Sequence, residues 1–111
     1  MNKPKRAGTA AETLVVDHLK ANGFQYAERR AMQGVNDCGD VTGLPGVVIE
    51  VKAHREMDLA EWMDETEVER ANAGAELAVC WHKRRRKGSP ADWYVTMTGA
   101  QFVALLKDFS A

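Results

Sequence analysis

The feature that most constrains this chain is the run Val47-Val48-Ile49-Glu50-Val51-Lys52. Six residues so rich in β-branched side chains are suited to an extended strand. Alternation along a strand turns Val47, Ile49 and Val51 to one face, toward a core, and leaves Glu50 and Lys52 side by side on the other. Charges on a buried strand need compensation. Asp40, ten residues before Glu50, offers a second carboxylate. A divalent cation held by Asp40 and Glu50 would compensate the carboxylates, with Lys52 next to an activated water.

The rest of the chain supplies the elements around this strand. Thr9-Ala10-Ala11-Glu12 has the pattern of a capping box, and Leu14, Val15 and Leu19 follow at helical spacing up to Asn22-Gly23, which predicts a helix over residues 10–21. Alternation predicts a first strand over 24–30, and the turn-rich segment 34–39 leads to a short strand at 40–42. Gly43-Leu44-Pro45-Gly46 then turns the chain into 47–52, most simply as a hairpin. Asp58-Leu59-Ala60-Glu61 repeats the capping-box pattern before a helix with Leu59, Trp62, Met63 and Thr66 inward and Gly74 as its stop. Strands at 77–81 and 93–97 and a helix opened by Thr98-Gly99-Ala100-Gln101 follow, the helix with an apolar face of Phe102, Val103, Leu105, Leu106 and Phe109. The expected fold class is α/β, a mixed sheet flanked by helices in the order α-β-β-β-α-β-β-α. The 111 residues suit one domain, with a basic arm over residues 1–8.

With a formal net charge of −1, the chain has no global attraction to a polyanion, so a basic surface must be local. Charge is segregated accordingly. Glu56, Asp58, Glu61, Asp64, Glu65, Glu67 and Glu69 fall in one stretch without a basic residue and are expected mainly on the outer face of their helix. Lys83-Arg84-Arg85-Arg86-Lys87 is an unbroken basic run, of the kind usually kept for a polyanionic partner. Cys38 and Cys80 lack the spacing of a zinc motif or a disulfide scaffold, and no apolar stretch nears the ~20 residues of a membrane span. These features point to a cytoplasmic protein without a membrane partner. Trp62, Trp81 and Trp93 sit at core-facing positions and are expected to pack; Asp37 is expected to form a turn.

Phosphodiester hydrolysis needs a neutralised phosphate, an activated water and a stabilised leaving oxygen, and a carboxylate-bound Mg²⁺ can contribute to all three. Asp40 and Glu50 offer the carboxylates, the carbonyl of Val51 a third ligand, and Lys52 a charge beside the water. In the combination of Gly8-Thr9-Ala10-Ala11-Glu12, Gly39-Asp40-Val41, Ile49-Glu50-Val51-Lys52 and Trp81-His82-Lys83, the chain resembles the PD-(D/E)xK nucleases, and within them the small Holliday junction resolvases of archaeal and phage type. The tail from His82 to Val95 is similar to resolvase-like proteins of actinobacterial phages. Gly39 departs from the pattern, standing where the superfamily name has proline.

The resemblance implies a restriction-endonuclease-like fold and a catalytic set of Glu12, Asp40, Glu50 and Lys52. It further implies a Mg²⁺ cofactor, with Mn²⁺ as a substitute, and a homodimer making paired cuts in four-way DNA junctions, in the host cytoplasm if phage-encoded. Glu12 has a competing role as a helix cap. Lys3, Lys5, Arg6, Arg29, Arg30 and Lys83, Arg84, Arg85, Arg86 and Lys87 are the candidate DNA contacts. The alternatives are a nuclease of the same fold acting on flaps, single strands or host duplex, and a DNA-binding accessory protein without activity.

Overall fold

The β-branched run forms a strand, β3 (Val47–Lys52), in the computed structural model, which describes residues 3–31 and 37–110. Before it come α1 (Lys3–Ala21), β1 (Glu28–Arg29) and β2 (Val41–Thr42), and after it α2 (Leu59–Ala73), β4 (Leu77–His82), a 3₁₀ turn (Pro90–Asp92), β5 (Tyr94–Thr96) and α3 (Gly99–Ser110). The described residues thus form a mixed α/β chain with three helices and two small sheets. Among them, no helix is long and apolar enough to cross a membrane.

β3 pairs in parallel with β4, from Val47 opposite Leu77 to Lys52 opposite His82, and β5 adds antiparallel to β4. A parallel pair needs a crossover connection, which α2 provides. The hairpin expected between residues 40–42 and 47–52 is not formed. β2 pairs with β1, Arg29 opposite Val41, and reaches β3 through the Asp40 N–H donating to the carbonyl of Ile49 at 2.8 Å.

Both faces of β3 are covered, as parallel pairing tends to require. Ile49, Val51 and Val79 pack with Ala11, Val15 and Val16 of α1 and with Ala27, Val41 and Trp93. On the opposite face Val48 meets Ala75 and Ala78, and α2 packs across β3 and β4 with Trp62 and Thr66 buried. Trp81 and Trp93 donate their indole N–H groups to the carbonyls of Pro90 and Lys87, which satisfies the polar edge of each packed ring.

Several local signals lose to longer-range contacts. The arm expected over residues 1–8 is, from Lys3 on, the first turns of α1, with Pro4 where a helix tolerates it. Thr9 and Glu12 therefore lie inside the helix, where Thr13 donates to the Thr9 carbonyl, and Glu12 is not a cap. Asp58 precedes α2 without a side-chain cap bond, whereas Gly74, at φ +62°, does end it. The first strand is two residues long instead of spanning 24–30. Gly34-Val35-Asn36 of the expected turn lies outside the described residues. At α3 the capping signal works: Gln101 N–H donates to Thr98 Oγ1, while the Gln101 side chain reaches into the sheet and accepts from Ala78 N–H at 2.8 Å.

Candidate active site

Asp40 reaches its place through a turn that only glycine can make. Gly39 has φ +98°, and a Cβ there would stand 2.9 Å from Val48 Cγ1 and 3.0 Å from the Ile49 carbonyl. A proline ring, with φ near −65°, fits neither the angle nor the space, which is a physical reason for glycine at this position. Asp37 makes the turn as expected, its Oδ1 accepting from Gly39 N–H at 2.8 Å. Asp40 is then fixed twice against β3, by its backbone to Ile49 and by Oδ2 accepting from Val51 N–H at 2.7 Å. A residue's N–H and C=O point to the same side of a strand, so the Val51 carbonyl opens on this same edge.

Glu50 and Lys52 lie on the α2 face of β3. Glu50 is 5 % exposed, and its Oε1 is buried with no hydrogen-bond partner among the described residues. Lys52 Nζ bridges Glu50 Oε2 at 3.2 Å and Glu65 Oε1 at 2.9 Å. Glu12 faces the same cleft from α1, its Oε1 accepting from Arg29 Nε at 3.0 Å. Glu12, Asp40, Glu50, Val51 and Lys52 thus line one cleft of about 500 Å³, with Ala7 and Gly8 at the end of α1 that carries Lys3, Lys5 and Arg6. The side chains of those three lie outside the described residues.

Burial and crowded negative charge govern the electrostatics here. Burial first, then the charge of Glu50, pushes the Asp40 carboxyl up from 3.8 to about 8 against the pull of Val51 N–H. Burial, then the adjoining carboxyl of Glu69 and its charge, pushes Glu50 from 4.5 to about 8, with Lys52 opposing. For Lys52, burial disfavours the charge, but the hydrogen bond to Glu65 and the charges of Glu50 and Glu65 prevail and hold it above the usual lysine range. Cys80 is buried behind the site and pushed to about 12, so it is no nucleophile. His82, with its pKa lowered by burial, hydrogen-bonds Thr96 Oγ1 and packs between Trp62 and Tyr94.

No family model, curated protein or solved structure matches the chain. Function must therefore be read from the geometry. A second groove, lined by Trp62, Lys83, Arg84, Arg85 and Arg86, shares Ala53, His54 and Arg55 with the acidic cleft, so the two are continuous. Arg84 is tied down, its guanidinium 4.9 Å above the Tyr94 ring and its Nη1 donating to the Asp92 carbonyl at 3.2 Å. Arg85, Arg86 and Lys87 are exposed. Arg86 takes φ +68°, a left-handed conformation costing a non-glycine residue about 1 kcal/mol.

The structure does not bring every candidate here. Arg29 is engaged by Glu12, and Arg30 lines a different pocket, with Tyr26 and Val48. Two acids absent from the sequence-derived site do arrive: Glu69 and Asp37 offer carboxylate oxygens within 4.8 Å of each other and of Glu50. Glu69 was expected on the outer face of its helix but is 2 % exposed. The signal was present in the spacing, because the inward stripe Leu59-Trp62-Thr66 continues at helical period to position 69.

Proposed function

We propose that this protein is a metal-dependent, structure-selective DNA endonuclease of the PD-(D/E)xK kind, acting as a Holliday junction resolvase. The observation that carries the reading is the convergence of Glu12, Asp40, Glu50 and Lys52 on one cleft that opens into a basic groove.

The donor set fits a hard divalent cation. It is made of oxygens, and buried Glu50 keeps an oxygen without a donor among the described residues, a cost that a cation would remove. Asp40, Glu50 and the Val51 carbonyl would hold Mg²⁺ or Mn²⁺. Such an ion supplies charge neutralisation on the phosphate and a lowered pKa for a bound water. The chain's own residues do the rest. Val51 N–H holds Asp40 in one orientation, Glu50 and Glu65 hold Lys52 charged, and its ammonium offsets charge growing on the scissile phosphate. Incubating purified protein with labelled four-way junction, flap, nicked and linear DNA, in Mg²⁺ or in chelator, tests this directly. Junction cutting that needs the metal is expected; equal cutting in chelator, or none on any substrate, overturns it.

The basic groove is the phosphate-binding surface in this reading. A loop that holds arginine in a left-handed conformation keeps a charge at an energetic cost, which suits a contact role. Replacing Arg85 and Arg86 by alanine should weaken binding of all junction sequences alike and flatten the salt dependence by roughly one unit of log–log slope for each phosphate no longer neutralised. Filter binding across a salt series reads this; an unchanged slope places the two residues off the DNA.

Paired cuts in a two-fold junction call for a two-fold dimer, and α3 supplies a surface for a second copy. Phe102 and Phe109 are 50 % and 89 % exposed, and Val103, Leu105 and Leu106 are open beside them. At ~200 Å² for a whole aromatic side chain, this face offers on the order of 500 Å², much of the ~800 Å² per partner in a standard interface. Lys107 and Asp108 adjoin it with opposite charges, so a self-pairing contact carries no net repulsion. In analytical ultracentrifugation the protein should sediment as a dimer, and Phe102→Glu with Phe109→Glu as a folded monomer. A monomeric wild type refutes the dimer.

A further inference from the structure

The cleft accounts for Asp40, Glu50 and Lys52 but leaves Glu69 without a task and Asp37 with only its turn bond to Gly39. Glu69 projects from α2 toward the sheet at 2 % exposure, and its Oε1 is buried with no hydrogen-bond partner among the described residues. Glu50, against which it lies, has an unpartnered buried oxygen of its own among the same residues. Packing a second acid against a buried first one is costly, and neither Oε1 has a donor among the described residues. Asp37 closes the group from the turn before Gly39. Its carbonyl accepts from Asn72 Nδ2 at 3.0 Å, so α2, which carries Glu69, also holds the turn in place.

We propose that Asp37, Glu50 and Glu69 form a second divalent-cation site, adjoining the Asp40–Glu50 site and sharing Glu50 with it. The three residues offer oxygens within 4.8 Å of one another, compatible with ligands around a single ion. All are hard carboxylate donors, which select Mg²⁺, Mn²⁺ or Ca²⁺ over softer metals. The burial of Glu50 and Glu69 leaves water access chiefly from the half-buried Asp37 side. Mg²⁺ sheds its waters reluctantly. Mn²⁺ is accordingly the probe of choice, and this site should take it more tightly than Mg²⁺. In the proposed nuclease, on which this role alone rests, a second ion would add positive charge at the Glu50 carboxylate to that supplied by Lys52.

The test counts Mn²⁺ bound to the full chain in the absence of DNA, by equilibrium dialysis, and records its electron paramagnetic resonance. Wild-type protein should bind two ions per chain, with the spectral broadening of two Mn²⁺ held close by a common ligand. Glu69→Gln should bind one ion and lose the broadening. Asp37→Asn keeps an oxygen for the Gly39 turn bond and removes only the charge; it should weaken the second ion by on the order of tenfold or more, a readout that stands even if Glu69→Gln fails to fold. Asp40→Asn should retain one ion, the one on Asp37 and Glu69. A single Mn²⁺ in the wild type, or two in Asp37→Asn at wild-type affinity, overturns the second site. Two ions in a protein that cuts no DNA overturn the nuclease reading and leave this site standing.

Discussion

Asp40→Asn, Glu50→Gln and Lys52→Ala should each slow junction cleavage by on the order of 10² or more, the scale of losing one preorganised electrostatic group, while junction binding stays close to wild type. The reason lies in the division of the molecule into an acidic cleft and a basic groove. Asp40 and Glu50 line the acidic cleft and not the groove of Lys83–Arg86, so neutralising either removes a metal ligand without removing one of that groove's cations. Lys52 differs, because its ammonium joins Glu50 to Glu65 at 3.2 and 2.9 Å. Its removal takes away a positive charge and releases two acids, so Lys52→Ala should cost more than Lys52→Arg. Single-turnover cleavage beside a gel-shift titration separates the two quantities. Near wild-type cutting by Glu50→Gln would remove the basis of the assignment, and loss of binding in step with cutting would assign these residues to structure.

Metal-free protein should lose stability as pH rises from about 4 to about 8. Asp40 and Glu50 have ordinary values of 3.8 and 4.5 and are pushed to about 8 in the folded state. The folded chain therefore holds protons that the unfolded chain has released, and stability falls with pH across that window. Below about 4 both states are protonated and the contribution is complete; above about 8 it is gone. The loss should be on the order of a few kcal/mol, with the neighbouring acids titrating as a group. Mg²⁺ or Mn²⁺ should reverse the trend, since a cation binds the deprotonated carboxylates and stabilises more at pH 8 than at pH 5. Glu50→Gln should flatten the dependence in chelator. Thermal melts at several pH values, with chelator and with metal, read all of this; a melting temperature in chelator that is level from pH 5 to pH 8 would mean that these acids are not buried together.

Local signals along the chain were enough to place α2, β3, β4 and α3: the glycine stop after α2, the apolar face of α3 and the short apolar runs of β3 and β4. They were also enough to set Glu50 and Lys52 on one face, since alternation in a strand depends on nothing distant. The same local logic misled at the helix starts. Thr9-Ala10-Ala11-Glu12 reads as a cap, yet α1 runs on to Lys3 and Glu12 turns to Arg29, because a side-chain contact across 17 residues competes with the cap that the local pattern offers. Strand partners were beyond local reach as well. β3 lies beside β4 instead of returning to β2, a choice made by the burial of both its faces under α1 and α2. Glu69 shows the limit most plainly. Helical spacing puts position 69 on the inward stripe of α2 despite its acidic neighbourhood, but only the packing of α2 against the sheet sets that acid beside Glu50 and Asp37. Periodicity determines which face a residue occupies; what stands opposite that face is a long-range contact, and so the tertiary structure alone decided that the carboxylates of Asp37, Glu50 and Glu69 meet.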